Sequence, residues 1–337
     1  MDSYKLSWRF RCFILGVCVA TQCTNAIAFD ESSDNQAAIA DLAIFVQPAT
    51  SVIFFAGDAP MGSDEIVTLL STMYEVGMEA LLHQDYQTAY QTLSGAAELG
   101  YTKAQVALAG IYLQGQGLTV DYAAAIQWYR KAAEQGNSDA QVGLALMYAH
   151  GQGIQQSDEV ALSLLRQAAD RENVIAQHNL GMIYQEGRGV EANAHEAMSW
   201  FRLAALQQDA SSQNSLGIGF MEGRGVEVDD VEAAWWFRKA AELGNEDAQI
   251  NLALMYRSGR GVSPDDEVAV EWFRRAAERG NKFAQYYLGV SYAEGIGVAP
   301  EAAIAESWLT KAAQQGLIEA QEYLLAIANK DVAWEIR

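Results

Sequence analysis

Cysteine is almost absent from this sequence of 337 residues, and the three present, Cys12, Cys18 and Cys23, crowd near its start. Everything after Cys23 therefore has no disulfide framework, no thiol nucleophile and no cysteine-bound metal. Proline is equally scarce, with four residues, so little interrupts helical segments. The four histidines, His83, His150, His178 and His195, show no metal-ligand spacing. Neither G-x-S-x-G nor H-E-x-x-H occurs, and no cofactor motif is found. Basic side chains are few: 22 Lys and Arg face 43 Asp and Glu, for a formal charge of −21. Nucleic acid and anionic membrane surfaces are poor partners for such a chain. These absences favour a binding protein over an enzyme.

The first 28 residues differ from the rest. Lys5, Arg9 and Arg11 precede an apolar run from Cys12 to Ala20, and Ala26-Ile27-Ala28 follows. This is the pattern of a secretory signal peptide, with cleavage after Ala28. The run is short against the about 20 residues of a membrane span. Gln22 before Cys23 disfavours a lipoprotein, and Phe10 between Arg9 and Arg11 breaks a twin-arginine signal. Loss of Lys5, Arg9, Arg11 and Asp2 takes the formal charge from −21 to −23. The mature chain is expected in the periplasm, having crossed the inner membrane, with no remaining membrane segment.

What is present is repetition. Gln105, Gln141, Gln177, Gln213, Gln249, Gln285 and Gln321 recur every 36 residues, and so do two glycine columns beginning at Gly115 and Gly117. A fixed period of this length marks a solenoid. In Asn245 to Gly280, Ala248, Leu252 and Tyr256 share one helix face, and Ala269, Trp272, Phe273, Ala276 and Ala277 share another. Each unit thus reads as two helices joined by a Gly-x-Gly turn. That turn lacks the strand and the Lys-Ser/Thr of a phosphate loop, so positive φ is its expected purpose. Asn137, Asn245 and Asn281 are placed to cap first helices. Gln208 stands where Gly136, Gly244, Gly280 and Gly316 end second helices; the second repeat ends in Glu172 and carries Leu164 in place of Trp, which suggests looser packing in that repeat. The tryptophans Trp128, Trp200, Trp236, Trp272 and Trp308 form a column expected to pack in the core.

One unit holds Ala176, Leu180, Gly181, Tyr184, Gly187, Gly189, Val190, Ala197, Trp200, Phe201, Ala204 and Ala205. This pattern resembles the Sel-one-like repeats of the tetratricopeptide-like superfamily. The resemblance covers about residues 73–329. It implies an all-α fold, a right-handed α/α superhelical solenoid of helix-turn-helix repeats, with partner-binding adaptors as its usual members. The expected organisation is a signal peptide (1–28), an N-terminal segment (29–62), a capping tetratricopeptide-like repeat (63–100), six 36-residue repeats (101–316), and a capping helix with its tail (317–337). Within the N-terminal segment, Ala37 to Val46 reads as a short helix stopped by Pro48. Ser51 to Ala56 is apolar and ambiguous in type. Trp334 is placed to lie over the last helix.

Charged columns read mainly as solvated faces. Arg130, Arg166, Arg238 and Arg274 each have an acid four residues on, and Arg202 continues the column. Arg188, Arg224 and Arg260 form a loop column beside carboxylates such as Asp229 and Asp265, which favours internal pairing. Columns that change from repeat to repeat are free of packing and are candidates for partner contact. On first helices they form one stripe containing His178, Met221, Ile250, Arg257, Phe283 and Tyr286. By the resemblance, that stripe lines the concave face. Trp235 interrupts a column of Gln127, Ser163, Ser199, Glu271 and Ser307, and stands out as a separate exposed candidate.

The reading is a monomeric, periplasmic adaptor for a protein partner bearing a basic patch, in envelope regulation or assembly. An enzyme acting on cell-wall glycans or peptides, and a secreted host-interaction factor, are the alternatives. The signal-peptide reading is tested by intact mass of the protein recovered from the periplasm. The mass should lack residues 1–28; retention of that segment refutes cleavage after Ala28.

Overall fold

In the computed structural model, the backbone is described for residues 44–45, 53–56, 59–60 and 62–335, and side chains for residues 62 and 64–327. The expected signal peptide and the side chain of Trp334 lie outside the described residues. The helix expected over Ala37 to Val46 is corrected at its end. Ile44–Phe45 is a strand, β1, paired antiparallel with β2 (Ile53–Ala56), which pairs in turn with β3 (Ala59–Pro60). Isoleucine and phenylalanine favour the extended backbone, and the Ser51 to Ala56 run supplies the partner strand.

The chain gathers into two compact units, Met1–Gln155 and Gln156–Arg337. The first holds the strands and five helices: α1 (Ser63–Leu82), α2 (Tyr86–Glu98), α3 (Thr102–Gln114), α4 (Tyr122–Glu134) and α5 (Ser138–His150). The second holds α6 (Asp158–Ala169), α7 (Val174–Glu186), α8 (Ala194–Leu206), α9 (Ala210–Glu222) and α10 (Asp230–Glu242). It continues with α11 (Glu246–Ser258), α12 (Asp266–Glu278), α13 (Lys282–Glu294), α14 (Ala302–Gln314) and α15 (Ile318–Glu335). Within each unit consecutive helices pack in pairs, the arrangement of a helical-repeat solenoid.

The joint between repeats is the most economical part. Gly244 N–H donates to the Ala241 carbonyl and Asn245 N–H to that of Ala240, the two bonds of a Schellman motif, with Gly244 at φ 86°. The Asn245 side chain then accepts from Ala248 N–H at 2.8 Å and caps α11. One residue closes a helix and opens the next. The recurring glutamine completes the joint. Gln249 is buried, and its amide donates to the Ala241 carbonyl at 3.1 Å, a last-turn acceptor that its own helix leaves without an i+4 donor. Gln105, Gln213, Gln285 and Gln321 make the same bond to Ala97, Ala205, Ala277 and Ala313. Where a glutamine stands 30 residues on, it donates to the free oxygen: Gln135 to Gln105, Gln207 to Gln177, Gln315 to Gln285. Position 243 is leucine, and the Gln213 oxygen is buried with no partner. Arg279 turns instead to the Gly244 carbonyl, and the Gln249 oxygen is likewise left alone.

The core sits between the two helices of a repeat and the first helix of the next. Phe273 packs with Ile250, Ala253, Ala269, Ala284 and Leu288. Phe201, Phe237, Phe273 and Leu309 are all fully buried, each contributing about 1.5–3 kcal/mol. Small residues face them: a Cβ on Gly181 would come within 2.5 Å of the Phe201 ring. The tryptophan column takes less of this core than its spacing suggests. Trp236 is buried, but Trp128, Trp200, Trp272 and Trp308 are half-buried. Lys131, Arg275 and Lys311 lie over Trp128, Trp272 and Trp308 at 4.0, 4.6 and 3.9 Å. The neighbouring position, one residue on, points directly at the first helix and fills the centre.

Both arginine columns are also resolved differently from their spacing. Arg130, Arg166, Arg238 and Arg274 bond the hydroxyls of Tyr148, Tyr184, Tyr256 and Tyr292, 18 residues on, rather than the acids four residues on, and Arg274 also pairs with Glu271 three residues before it. A hydroxyl held at 2.6–3.3 Å by a packed helix needs less side-chain ordering than a flexible surface acid. For Arg202 the corresponding residue is Phe220, which offers no hydroxyl. In the loop column, Arg188 pairs with Asp158 at 3.2 Å and Arg260 with Asp230 at 2.6 Å, from the preceding second helix. Pairing is internal as expected, but Asp229 and Asp265 are occupied as helix caps. Ala194 stands at the equivalent place for Arg224, which turns to Glu222.

Glu172 and Gln208 keep the helix-ending geometry without glycine, at φ 61° and 66°. The joint's bonds therefore override the backbone preference of these two residues. Gly261 has a second constraint: a Cβ there would overlap the Asp230 carbonyl, whereas at Gly280 it would meet nothing. Gly261→Ala should cost about 2–4 kcal/mol and Gly280→Ala about 1 kcal/mol, while Gln208→Gly should stabilise by about 1 kcal/mol. Denaturant melts of the three variants check this; equal losses for the two glycine changes would exclude close approach as the reason for Gly261.

Candidate functional site

All six residues of the variable stripe lie in the unit Gln156–Arg337, on α7, α9, α11 and α13. Their environments differ. Ile250 is core: it is buried in the cluster around Phe273, so the expectation that packing does not use it is corrected. A branched side chain at that place fills the space beside Ala253 and Ala284. Met221 is half-buried against the Phe237 cluster. Arg257 is half-buried near the end of α11.

His178 faces the next repeat. Its Nδ1 lies 2.8 Å from the Ser212 hydroxyl and 3.5 Å from Asp209, and its ring 5.7 Å from that of Phe201. Burial pushes its pKa below the ordinary histidine value, against the opposing pull of Asp209. Serine, histidine and aspartate in reach of each other invite comparison with a hydrolytic triad. Here both partners approach the same ring nitrogen, whereas a relay uses opposite ones. Ser212 is also fully buried, and Asp209 already caps α9. The cluster is a joint between repeats that presents no nucleophile. Among the described residues, no group of three His, Cys, Asp or Glu is placed to hold a metal ion. Among the same residues, no helix is long and apolar enough to cross a membrane.

Phe283 and Tyr286 come together, one turn apart on α13, while the other four are spread over three further helices. Phe283 is the second residue of its helix and is 47% exposed. Lys282 Nζ stands 5.3 Å from its ring centroid. Tyr286 is half-buried. Its ring lies 5.4 Å from Tyr287 and 6.3 Å, edge-on, from Tyr323 of α15. It also packs on the cluster of Val290, Leu309 and Leu317. Tyr286 therefore serves stability as well as surface, and Phe283 is the more exposed of the pair.

Six consecutive matches to the Sel1 repeat cover residues 102–137, 138–173, 174–209, 210–245, 246–281 and 282–317. The chain belongs to the Sel1 repeat family. Sel1 repeats mediate protein–protein interaction. Among solved structures, it is similar to a protective antigen present in uropathogenic Escherichia coli strains that displays an SLR fold. Identity is 33%, coverage 80% of this chain and 60% of that one, and TM-score 0.69. The chain thus spans about 60% of that protein's length. It is also similar to a Sel1 repeat protein from Oxalobacter formigenes, at 32% identity, covering 77% and 76% of the two chains, with TM-score 0.66. A comparison with proteins of curated function found no match.

The Sel1 period exposes a second set of departures that the first-helix columns do not contain. On α8, Leu203 replaces the cation found as Lys131, Lys239, Arg275 and Lys311 in other repeats. Leu206 replaces an acid, Glu134, Asp170, Glu242 or Glu278. Leu243 replaces Gln135, Arg171, Gln207, Arg279 or Gln315. All three are exposed, as is Trp235, whose ring meets Trp236 edge-on at 4.5 Å. The same internal comparison, applied to second helices, finds these leucines from sequence.

The two aromatic residues of α13 separate in a stability experiment. Phe283→Ala should leave the melt within about 0.5 kcal/mol of the parent. Tyr286→Ala removes two ring contacts of about 0.5–1.5 kcal/mol each, and should lower stability by about 1–3 kcal/mol. Equal effects in a denaturant melt would contradict these placements.

Proposed function

We propose that this Sel1 repeat protein is an adaptor of the bacterial envelope, secreted to the periplasm, that docks a protein partner on the first-helix stripe. The stripe forms the concave face of the array, as in related helical-repeat arrays. The observation that carries the reading is Phe283. A large ring stands nearly half exposed at a position that other repeats fill with Lys103, Asp139, Ile175, Ser211 and Asp247, so packing does not demand it. Exposed aromatics of this kind are enriched among residues that dominate interface energy. Around it the joints are closed by the chain's own hydrogen bonds, so that a partner meets a preformed surface. The high acidic excess speeds encounter with a basic partner and is screened by salt. The basic leader pattern supports export.

In-cell photo-crosslinking tests the face. A photoreactive amino acid replaces Phe283 or Gln185, the exposed member of the Met221 and Arg257 column, on first helices, or Leu206 or Trp235 on second helices. A discrete crosslinked partner should form from the first pair in the periplasmic fraction. Crosslinks confined to Leu206 and Trp235 would move the docking surface to the second helices.

A further inference from the structure

Several described aromatic rings of this chain, on first and second helices, lie against its own cations. Lys131, Arg275 and Lys311 sit over tryptophans, and Arg166 and Arg238 lie 6.0 Å from the rings of Tyr184 and Tyr256. The tyrosines between α13 and α15 are different. Tyr286 and Tyr323 meet edge to face, and the Tyr323 hydroxyl donates to Glu294 at 2.8 Å. Glu319 and Glu322 stand exposed on the first turn and a half of α15. Among the described residues, no lysine or arginine covers these two rings or pairs with these three carboxylates. Lys282, the first residue of α13, is placed over Phe283 instead. Burial raises the pKa of Tyr286, and Tyr287, Glu319, Glu294 and Glu322 push it the same way. Burial, then the bond to Glu294, brings Tyr323 to about 12. The ring pair therefore sits beside three carboxylates that no cation among the described residues pairs with.

We propose that Tyr286 and Tyr323, with Glu294, Glu319 and Glu322, form a seat for an arginine side chain carried by the protein partner. The proposal rests on the first-helix docking face and names the chemistry that this face recognises. Arginine fits better than lysine for two reasons. Its planar guanidinium stacks on a tyrosine face, and its fork of donors engages a carboxylate in two places. Tyr323, already bonded to Glu294, fixes one carboxylate at the edge of the seat. Phe283 lies one turn before Tyr286 on α13 and offers apolar contact to the residue beside the arginine.

The probe is a short peptide of alternating glycine and arginine, titrated into the whole protein and followed by NMR of the tyrosine rings and backbone amides. A peptide with citrulline in place of arginine keeps the shape and removes the charge. Shifts should concentrate at Tyr286 and Tyr323, and the citrulline peptide should produce none. Glu319→Gln with Glu322→Gln should weaken binding about fivefold, the size expected for an exposed cation–aromatic and ion-pair contact. Glu267→Gln with Glu278→Gln, an exposed pair on α12 that removes the same charge, should change it little. Shifts spread over the acidic surface, or equal losses in the two double variants, would overturn the seat, and so would equal binding of the citrulline peptide. Failure here with successful crosslinking at Phe283 removes the arginine seat and leaves the docking face. Binding at the seat with no crosslink from Phe283 or Gln185 does the reverse.

Discussion

A buried side-chain amide holds this array together. Gln105, Gln213, Gln249, Gln285 and Gln321 each reach back eight residues to a carbonyl at the end of the preceding helix. Burying the glutamine amide with its donor unmet would cost about 1–3 kcal/mol, so the amide's position fixes the angle at which one repeat meets the next. Everything else at the joint is compatible with that bond. The glycine or its substitute turns the chain with positive φ, the asparagine caps the next helix, and alanines let the helices approach. A shorter or longer side chain than glutamine does not span the same gap, which explains why this column never changes while its neighbours do.

Function is carried by departures from the period. A column that recurs is committed to the joint or the core, and its residues are not available to a partner. Phe283 and the Tyr286–Tyr323 pair lie where the repeat relaxes, at the last full unit and the helix after it. Leu203, Leu206, Leu243 and Trp235 are a second group of departures, on the second helices of two adjacent repeats. The two groups differ in chemistry: the first mixes rings with carboxylates, while the second is apolar where other repeats are charged.

The architecture was legible because the period repeats one physical solution. Gln249, Gly259 and Asn245 have identical tasks in successive units, so their spacing alone defines the helices and turns. Individual contacts were less legible. The spacing of Arg238 and Glu242 is correct for a helix pair, yet the guanidinium goes to Tyr256 on another helix. Nothing local in the sequence ranks those two acceptors. Ile250 misled for a related reason: a column that varies in type, from His178 to Asn214 to Ile250, is not for that reason exposed at every member. Tyr286 is read correctly as partly packed only when α15, outside the repeat, is included.

The joint between α8 and α9 collects a series of these exceptions. Gln208 replaces glycine at positive φ, and the Gln213 oxygen is buried without a donor because Leu243 stands where glutamine does elsewhere. Arg202 faces Phe220 and no hydroxyl, and Arg224, opposite Ala194, pairs with Glu222 of its own repeat and not with the preceding second helix. A stack of clasps in series yields at the one with fewest hooks, whatever the strength of the others. Under tension or on heating, this hinge should open ahead of the other described joints of its unit, and the array would part there into two shorter pieces before either of them melts.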